Sequence, residues 1–259
     1  MKSLKNRLKE IEPLFTTEWP TQEVDTKLNT QVQTSFLGFD RINHIRMGYF
    51  YEVISKCLFG GVLRDNQMIE SQEYHQICPD VYNKSRKILV ESKAMRIGHH
   101  TTFIDDQINR YIKYQQMKHH YKIYWCFWRH RFEKIKSYKG SPNELYQSLC
   151  EKTAYGIILG FSIIIDLWKE THTNSRRYEN TNWYNCTTIN STDMNRFLFE
   201  PEIMLTQIGR DPNNYAIARF RSPYLKINRY TMSPKPFILI FEKDHQRLIK
   251  DLGEEEVPF

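Results

Sequence analysis

The chain of 259 residues lacks the short motifs that mark several common enzyme classes. It contains no glycine-rich phosphate loop, no Gly-x-Ser-x-Gly turn and no His-Glu-x-x-His sequence. These motifs position a nucleotide phosphate, a nucleophilic serine and a catalytic zinc ion, respectively. Their absence leaves P-loop NTPases, serine hydrolases of that type and zinc proteases of that type without support.

Cysteine is also scarce. The five cysteines are an odd number, and no two of them form a Cys-x-x-Cys pair. This argues against a disulfide framework and against a cysteine-rich zinc site. Reduced thiols in a cytosolic protein are the simplest interpretation. The first ten residues are charged and no apolar stretch follows them, unlike a signal peptide, so we expect a cytoplasmic protein.

Long apolar runs are missing as well. The most apolar stretch, residues 154–168, contains one charged residue, Asp166, and is too short for a membrane-spanning helix, which needs about 20 apolar residues. The stretch also contains Gly156, Gly160 and clusters of β-branched residues. We therefore expect one or two buried strands there and no membrane segment.

The net charge of +7 favours a polyanionic partner. Basic and aromatic residues alternate in two segments, 124–138 and 219–235. Basic side chains there would bind phosphates and aromatic rings would stack on bases, although an ordinary sheet with basic residues outward is the alternative. The candidate nucleic-acid-binding residues are Arg129, Arg131, Lys134, Lys136, Arg219, Arg221, Lys226 and Arg229.

The most informative residues are Asp80, which follows a proline, and the run Glu91-Ser92-Lys93. A strand over residues 87–94 places Glu91 and Lys93 on one face and Ser92 on the other. Buried charges need a partner, and two carboxylates suit Mg²⁺. Lys93 would then orient or deprotonate a metal-bound water, or neutralise a phosphate oxygen. A solvated ion pair on an exposed face is the competing interpretation.

This pattern resembles the PD-(D/E)XK nuclease superfamily, over about residues 45–130. Glu52, on a predicted helix, matches a glutamate that the superfamily often carries there. Gln107 and Tyr111 lie one helical turn apart and resemble the Gln-x-x-x-Tyr motif of RecB-type members. The resemblance implies a restriction-endonuclease-like fold, Mg²⁺-dependent hydrolysis of a phosphodiester, the Ser92 carbonyl as a further metal ligand, and a homodimer.

The periodicity of the chain predicts an α/β protein with the element order αβββαβ. The elements are a helix over 42–59 that ends at Gly60-Gly61, strands over 62–69, 76–82 and 87–94, a loop over 98–102, a helix over 103–117 and a strand over 121–128. Additional α+β elements follow: a helix from Ser141 to about Thr153, strands near 157–168, 182–189, 215–221 and 236–242, and a short helix over 191–199.

We expect an N-terminal arm or helix over 1–40, a nuclease core over 41–130 and a C-terminal extension over 131–259, or one single domain. The expected function is that of a Mg²⁺-dependent DNA endonuclease, with a type II restriction enzyme as first choice. A RecB-like defence or repair nuclease acting on single strands or ends comes second. A non-catalytic nucleic-acid-binding module is the third.

Overall fold

The computed structural model describes residues 40–63, 77–96, 101–118, 120–132, 142–170, 174–179, 182–189, 191–222, 224–227 and 230–245. The predicted arm before residue 40 lies outside these residues. Six helices occur within them: α1 Asp40–Phe59, α2 Asp105–Met117, α3 Pro142–Lys152, α4 Phe161–Glu170, α5 Ser191–Phe199 and α6 Pro201–Gln207.

The described strands number twelve. They are β1 Val62–Leu63, β2 Val81–Asn83, β3 Ile88–Arg96, β4 Thr101–Ile104, β5 Lys122–His130, β6 Thr153–Gly160, β7 Asn174–Glu179, β8 Asn182–Ile189, β9 Tyr215–Arg221, β10 Leu225–Ile227, β11 Tyr230–Met232 and β12 Pro236–Glu242. The fold class predicted from the sequence, mixed α/β, is confirmed.

Seven strands form a mixed central sheet in the order β1-β2-β3-β5-β6-β12-β9. The first three strands pair antiparallel, whereas β3 and β5 run parallel, with Glu91 opposite Trp125 and Lys93 opposite Phe127. Strand β5 is buried along nearly its whole length, as is typical of a strand covered on both faces. The sheet continues into β6, β12 and β9, so it joins the segments before and after residue 130.

Helices cover the central sheet on both faces. Helices α1 and α3 pack on one face, here the α1 face, with Val90, Cys126 and Trp128 of the sheet. Helices α2, α4, α5 and α6 pack on the other, here the α2 face, with Leu89 and Trp125. Alternate residues of β3 and β5 therefore contact different layers, as strand geometry requires. None of the described helices has the length and apolar character needed to cross a membrane.

The predicted end of the first helix at Gly60-Gly61 is confirmed. Both glycines have positive φ angles, 68° and 92°, and the Gly60 amide donates to the Lys56 carbonyl over 2.7 Å. A side chain at Gly61 would place its Cβ 2.4 Å from the carbonyl oxygen of Tyr82. The glycines thus let the chain leave α1 in the left-handed region and enter β1 close against β2.

The predicted strand over 157–168 is wrong in its second half. The chain forms β6 up to Gly160 and then α4, in which Phe161, Ile164 and Leu167 are buried. Their spacing is helical, and their burial on the α2 face outweighs the weak helix propensity of the β-branched residues.

The predicted boundary between loop and helix near residue 103 is also wrong. Thr101–Ile104 form β4, with Thr101 and Phe103 buried and the alternate residues half-buried. Helix α2 starts at Asp105, where a carboxylate suits the positive end of the helix dipole. Strand β4 pairs with β8, and β8 with β7, in a separate three-stranded sheet.

Most other predicted elements are confirmed within a few residues, including β3, β5, α3, β8, α5, β9 and β12. One strand is shorter than expected: the strand predicted over 76–82 starts at Val81. Of the strand predicted over 62–69, Val62–Leu63 form β1, and the other residues lie outside the described ones. All five cysteines are free thiols, and only Cys78 is not buried.

Candidate active site

Asp80 lies directly before β2, beside the middle of β3. The ladder between these strands reaches Val81 and Val90, and the carboxylate of Asp80 continues it by accepting a hydrogen bond from the Ser92 amide over 2.7 Å. Asp80 is buried. Burial, together with the nearby charges of Glu91 and Glu52, raises the pKa of Asp80 well above its usual range, although Lys93 and the Ser92 amide oppose the shift.

Glu91 is 3 % exposed and accepts three hydrogen bonds. Its Oε1 accepts from Lys93 Nζ and from Gln107 Nε2, each over 2.6 Å, and its Oε2 accepts from the Tyr111 hydroxyl over 2.9 Å. A buried carboxylate is tolerated when such donors surround it. The strand residues and the helix residues singled out in the sequence therefore meet at one carboxylate.

Lys93 extends from β3 toward the solvent on the α2 face, and its side chain is 27 % exposed. Its ammonium also lies 3.5 Å from Gln107 Oε1 and 5.4 Å from the centroid of the Trp125 ring, a cation–π distance. Burial lowers the pKa of Lys93, but the charges of Glu91 and Asp80 outweigh burial and raise it overall. Lys93 is thus a stable cation at neutral pH, better suited to placing positive charge than to accepting a proton.

Tyr111 is both a core residue and a hydrogen-bond donor. Its ring is 1 % exposed and packs against Trp125 and Phe161, with centroid distances of 6.1 Å and 5.7 Å. Burial first, and then the charge of Glu91, raises the pKa of Tyr111 well above its usual range. The hydroxyl therefore keeps its proton and donates a hydrogen bond to Glu91.

The opposite side of β3 holds a neutral network. The Ser92 hydroxyl lies 3.0 Å from the hydroxyl of Ser55 on α1, and the Trp128 indole donates to Ser55 Oγ over 2.9 Å. Ser55 is fully buried. Ser55, Trp125 and Trp128 were not among the predicted site residues. The available signal for Ser55 was a serine within residues 53–59 of α1, which are otherwise apolar except for Lys56.

Glu52 lies one helical turn before Ser55 and is half-buried. Its charge raises the pKa of both Asp80 and Lys93, which disfavours the carboxylate form of Asp80 and favours the ammonium form of Lys93. The helix glutamate is therefore electrostatically coupled to the two strand residues from which it is separated in sequence. A negative charge at this distance also increases the attraction of the site for a cation.

The oxygen atoms near Asp80 suit a hard cation. No group of three or more His, Cys, Asp or Glu side chains among the described residues is arranged to hold a metal, but the predicted set comprises two carboxylates and the Ser92 carbonyl. A carboxylate accepts about four hydrogen bonds, of which Asp80 uses one and Glu91 three. The N–H and C=O of a strand residue point to the same side, so the Ser92 carbonyl belongs on the side of Asp80. Oxygen donors of these types are the ligands that Mg²⁺ prefers.

The predicted nucleic-acid contacts differ in exposure. Arg131 and Arg221 are exposed, and Arg219 is half-buried. Arg129 is fully buried, so the surface contact predicted for it is wrong: β5 runs to His130, and Arg129 lies inside the sheet, opposite Tyr155 of β6. Lys226 lies on β10, and three predicted contacts are outside the described residues: Lys134, Lys136 and Arg229.

Comparisons of the chain with family models, with curated proteins and with solved structures find no match.

Proposed function

We propose that this protein is a Mg²⁺-dependent DNA endonuclease of the PD-(D/E)XK type, with a type II restriction enzyme as the first choice. The observation that carries the proposal is the convergence at Glu91, where Lys93, Gln107 and Tyr111 all donate to one buried carboxylate. Asp80 reaches the same part of β3 through the Ser92 amide. Three segments of the chain, namely the residue before β2, strand β3 and helix α2, thereby meet around two acids and a lysine.

The arrangement of elements supports a restriction-endonuclease-like core. The order α1, β1, β2, β3, α2, β5 follows the αβββαβ pattern, with β4 inserted before α2. Strands β3 and β5 are adjacent and parallel, and α2 connects them across one face, while α1 covers the other.

Each site residue has a distinct role in this proposal. Asp80, Glu91 and the Ser92 carbonyl would hold the cation, which would polarise the phosphate and lower the pKa of a bound water. Gln107 and Tyr111 orient the Glu91 carboxylate. Lys93 places a positive charge at the exposed rim of the site, where it can stabilise negative charge that develops on a phosphate oxygen.

A RecB-like nuclease acting on single strands or ends is the second candidate. It is favoured by two hydrogen bonds, since Gln107 and Tyr111, which resemble the RecB-type motif, both donate directly to Glu91. A non-catalytic nucleic-acid-binding module is the third. It is favoured by the extent to which Glu91 is already satisfied by protein donors.

The test measures cleavage by the purified protein, with Mg²⁺ or with EDTA, of three substrates: supercoiled plasmid, linear duplex and single-stranded DNA. Discrete plasmid fragments are expected for a restriction enzyme, and degradation that requires ends or single strands for the RecB-like alternative. Asp80→Asn and Glu91→Gln should reduce cleavage to background. Glu202→Gln, which changes an exposed carboxylate on α6, is the matched control. DNA binding without cleavage, or full cleavage by Asp80→Asn, would overturn the assignment.

A further inference from the structure

The hairpin formed by β7 and β8 extends past the small sheet to which it belongs. Strand β4 pairs with Cys186–Ile189 of β8 and reaches no further. The rest of the hairpin, Arg176–Glu179 paired with Asn182–Asn185, has no third strand among the described residues. We call these eight residues the outer ribbon.

The composition of the hairpin changes where β4 stops. The inner half contains Cys186, Thr187 and Ile189, all buried. The outer ribbon contains no aliphatic residue; its eight residues are two arginines, three aromatic residues, two asparagines and one glutamate, namely Arg176, Arg177, Tyr178, Trp183, Tyr184, Asn182, Asn185 and Glu179. Arginine and asparagine side chains are types that contact phosphates and base edges.

The root of the outer ribbon is joined to the candidate active site. The last pair between β4 and β8 is Ile104 with Cys186, and α2 begins at the next residue. There Asp105 Oδ1 accepts hydrogen bonds from Thr187 of β8 and from Trp168 of α4, each over 2.9 Å. Gln107, which donates to Glu91, follows two residues later.

We infer that the outer ribbon binds duplex DNA in the major groove, beside the scissile phosphate. The inference rests on the proposed function in taking DNA as the substrate. A groove about 12 Å wide and 8.5 Å deep admits a two-stranded β-ribbon, and four residues per strand span about 13 Å. The arginines match the charge of the phosphates, and arginine and asparagine side chains suit guanine and adenine edges. Arg129 is buried, so it cannot make the phosphate contact predicted for it. In this inference, Arg176 and Arg177 supply phosphate contacts instead.

The test measures binding of the full chain to a labelled duplex of about 30 base pairs in Ca²⁺, across a series of salt concentrations. The double variant Arg176→Ala/Arg177→Ala should weaken binding about tenfold or more. If both arginines contact phosphates, the salt slope should fall by about 1.8. The control is Lys84→Ala/Lys243→Ala, which removes the same charge from two exposed turn residues. Wild-type affinity and slope in the arginine variant would overturn the inference.

Two further measurements separate the remaining explanations. Thermal unfolding of the arginine variant should match that of the wild type, because both arginines lie on the part of the hairpin that β4 does not reach. Double-stranded RNA should compete poorly, because its major groove is too narrow for a ribbon. Equal competition by RNA would contradict the major-groove placement. If the wild type binds duplex DNA but never cleaves it, the proposed function fails. The affinity and salt slope of the arginine variant still show whether the outer ribbon binds DNA. If the arginine variant binds and cleaves normally, only the ribbon inference fails.

Discussion

The two faces of β3 are built on different chemical principles. On the α2 face, Glu91 and Lys93 stand between the apolar Leu89 and Met95 and are surrounded by charged or dipolar partners. On the α1 face, Val90 is packed in the apolar core and Ser92 contacts one neutral hydroxyl. Alternate residues of one strand therefore meet a charged site and a neutral layer.

The comparison shows how the neutral face supports the charged one. Ser92 belongs to both: its side chain bonds to Ser55 on the α1 face, and its amide donates to Asp80. A hydroxyl network can position that amide without adding charge, whereas a charged group there would compete with the site for the same cation. Single substitutions can disturb one face of β3 and leave the other intact.

The largest effect is expected from Lys93→Ala. Loss of the only lysine on the charged face of β3 should slow single-turnover cleavage by about 10²–10³-fold, because a positive charge that stabilises the transition state is removed, while duplex affinity in Ca²⁺ changes little. Lys93→Arg should not restore the rate, because its planar fork cannot replace a compact ammonium between Glu91 and Gln107. A variant that chiefly lost DNA affinity would make Lys93 a phosphate clamp instead.

Tyr111→Phe removes one donor from the charged face and leaves the ring packing unchanged. The Glu91 carboxylate then loses a charge-assisted hydrogen bond, which should lower the free energy of unfolding by about 1.5–3 kcal/mol. Tyr82→Phe is the matched control, because the Tyr82 hydroxyl bonds to another neutral hydroxyl, that of Tyr121. Urea unfolding should show a clearly smaller loss for the control. Equal losses would mean that the charge on Glu91 contributes nothing to the bond.

The sequence sufficed for those parts of the site that depend on local periodicity. A strand period of two separated Glu91 and Lys93 from Ser92, and a helical turn brought Gln107 and Tyr111 to one side of α2. The contacts of Ser92 with Ser55 and of Lys93 with Trp125 depend on how α1 and β5 dock against β3, which no local pattern encodes.

The two wrong predictions, a strand that continues past Gly160 and a surface position for Arg129, have the same physical origin. Residues 161–168 have the β-branched composition of a strand, yet the α2 face needs a helix there, and tertiary packing overrides propensity. Arg129 looked like surface charge because β5 was expected to end at Trp128. Strand β5 in fact extends to His130, and the alternation of side chains along it places Arg129 on the α2 face. In both places the neighbouring layer, and not the segment itself, determines the outcome.

Ser55→Ala removes the hydroxyl that bonds to Ser92 and Trp128 on the neutral face of β3. The variant leaves the Trp128 indole N–H buried without its acceptor, which should lower the free energy of unfolding by about 1–3 kcal/mol. Ser148→Ala, a half-buried serine on α3, is the control and should change stability by less. If the neutral face positions the Ser92 amide, the Mg²⁺ concentration for half-maximal cleavage should also rise. A loss of stability with an unchanged Mg²⁺ dependence would restrict Ser55 to the core.

Among these variants, Asp80→Asn should give the smallest change in the free energy of unfolding, a stabilisation on the order of 1 kcal/mol at neutral pH. The pKa of Asp80 is raised in the folded protein, mainly by burial. Between the ordinary aspartate value, about 3.9, and the raised value, the folded state holds a proton that the unfolded state has lost, so wild-type stability falls as pH rises through this window. Asparagine does not titrate and still accepts a hydrogen bond from the Ser92 amide.

The stability difference between Asp80→Asn and wild type should therefore be small near pH 4, grow with pH and level off above the raised pKa. Urea unfolding at a series of pH values measures it, with Asp193→Asn, an exposed carboxylate, as the control. Mg²⁺ should then stabilise the wild type by mass action and the variant much less, which links the stability cost of the buried carboxylate to the cation it is proposed to bind. A variant that is less stable than wild type at every pH would mean that the ionised Asp80 holds β3 in place, and that the charged face is a structural ion network.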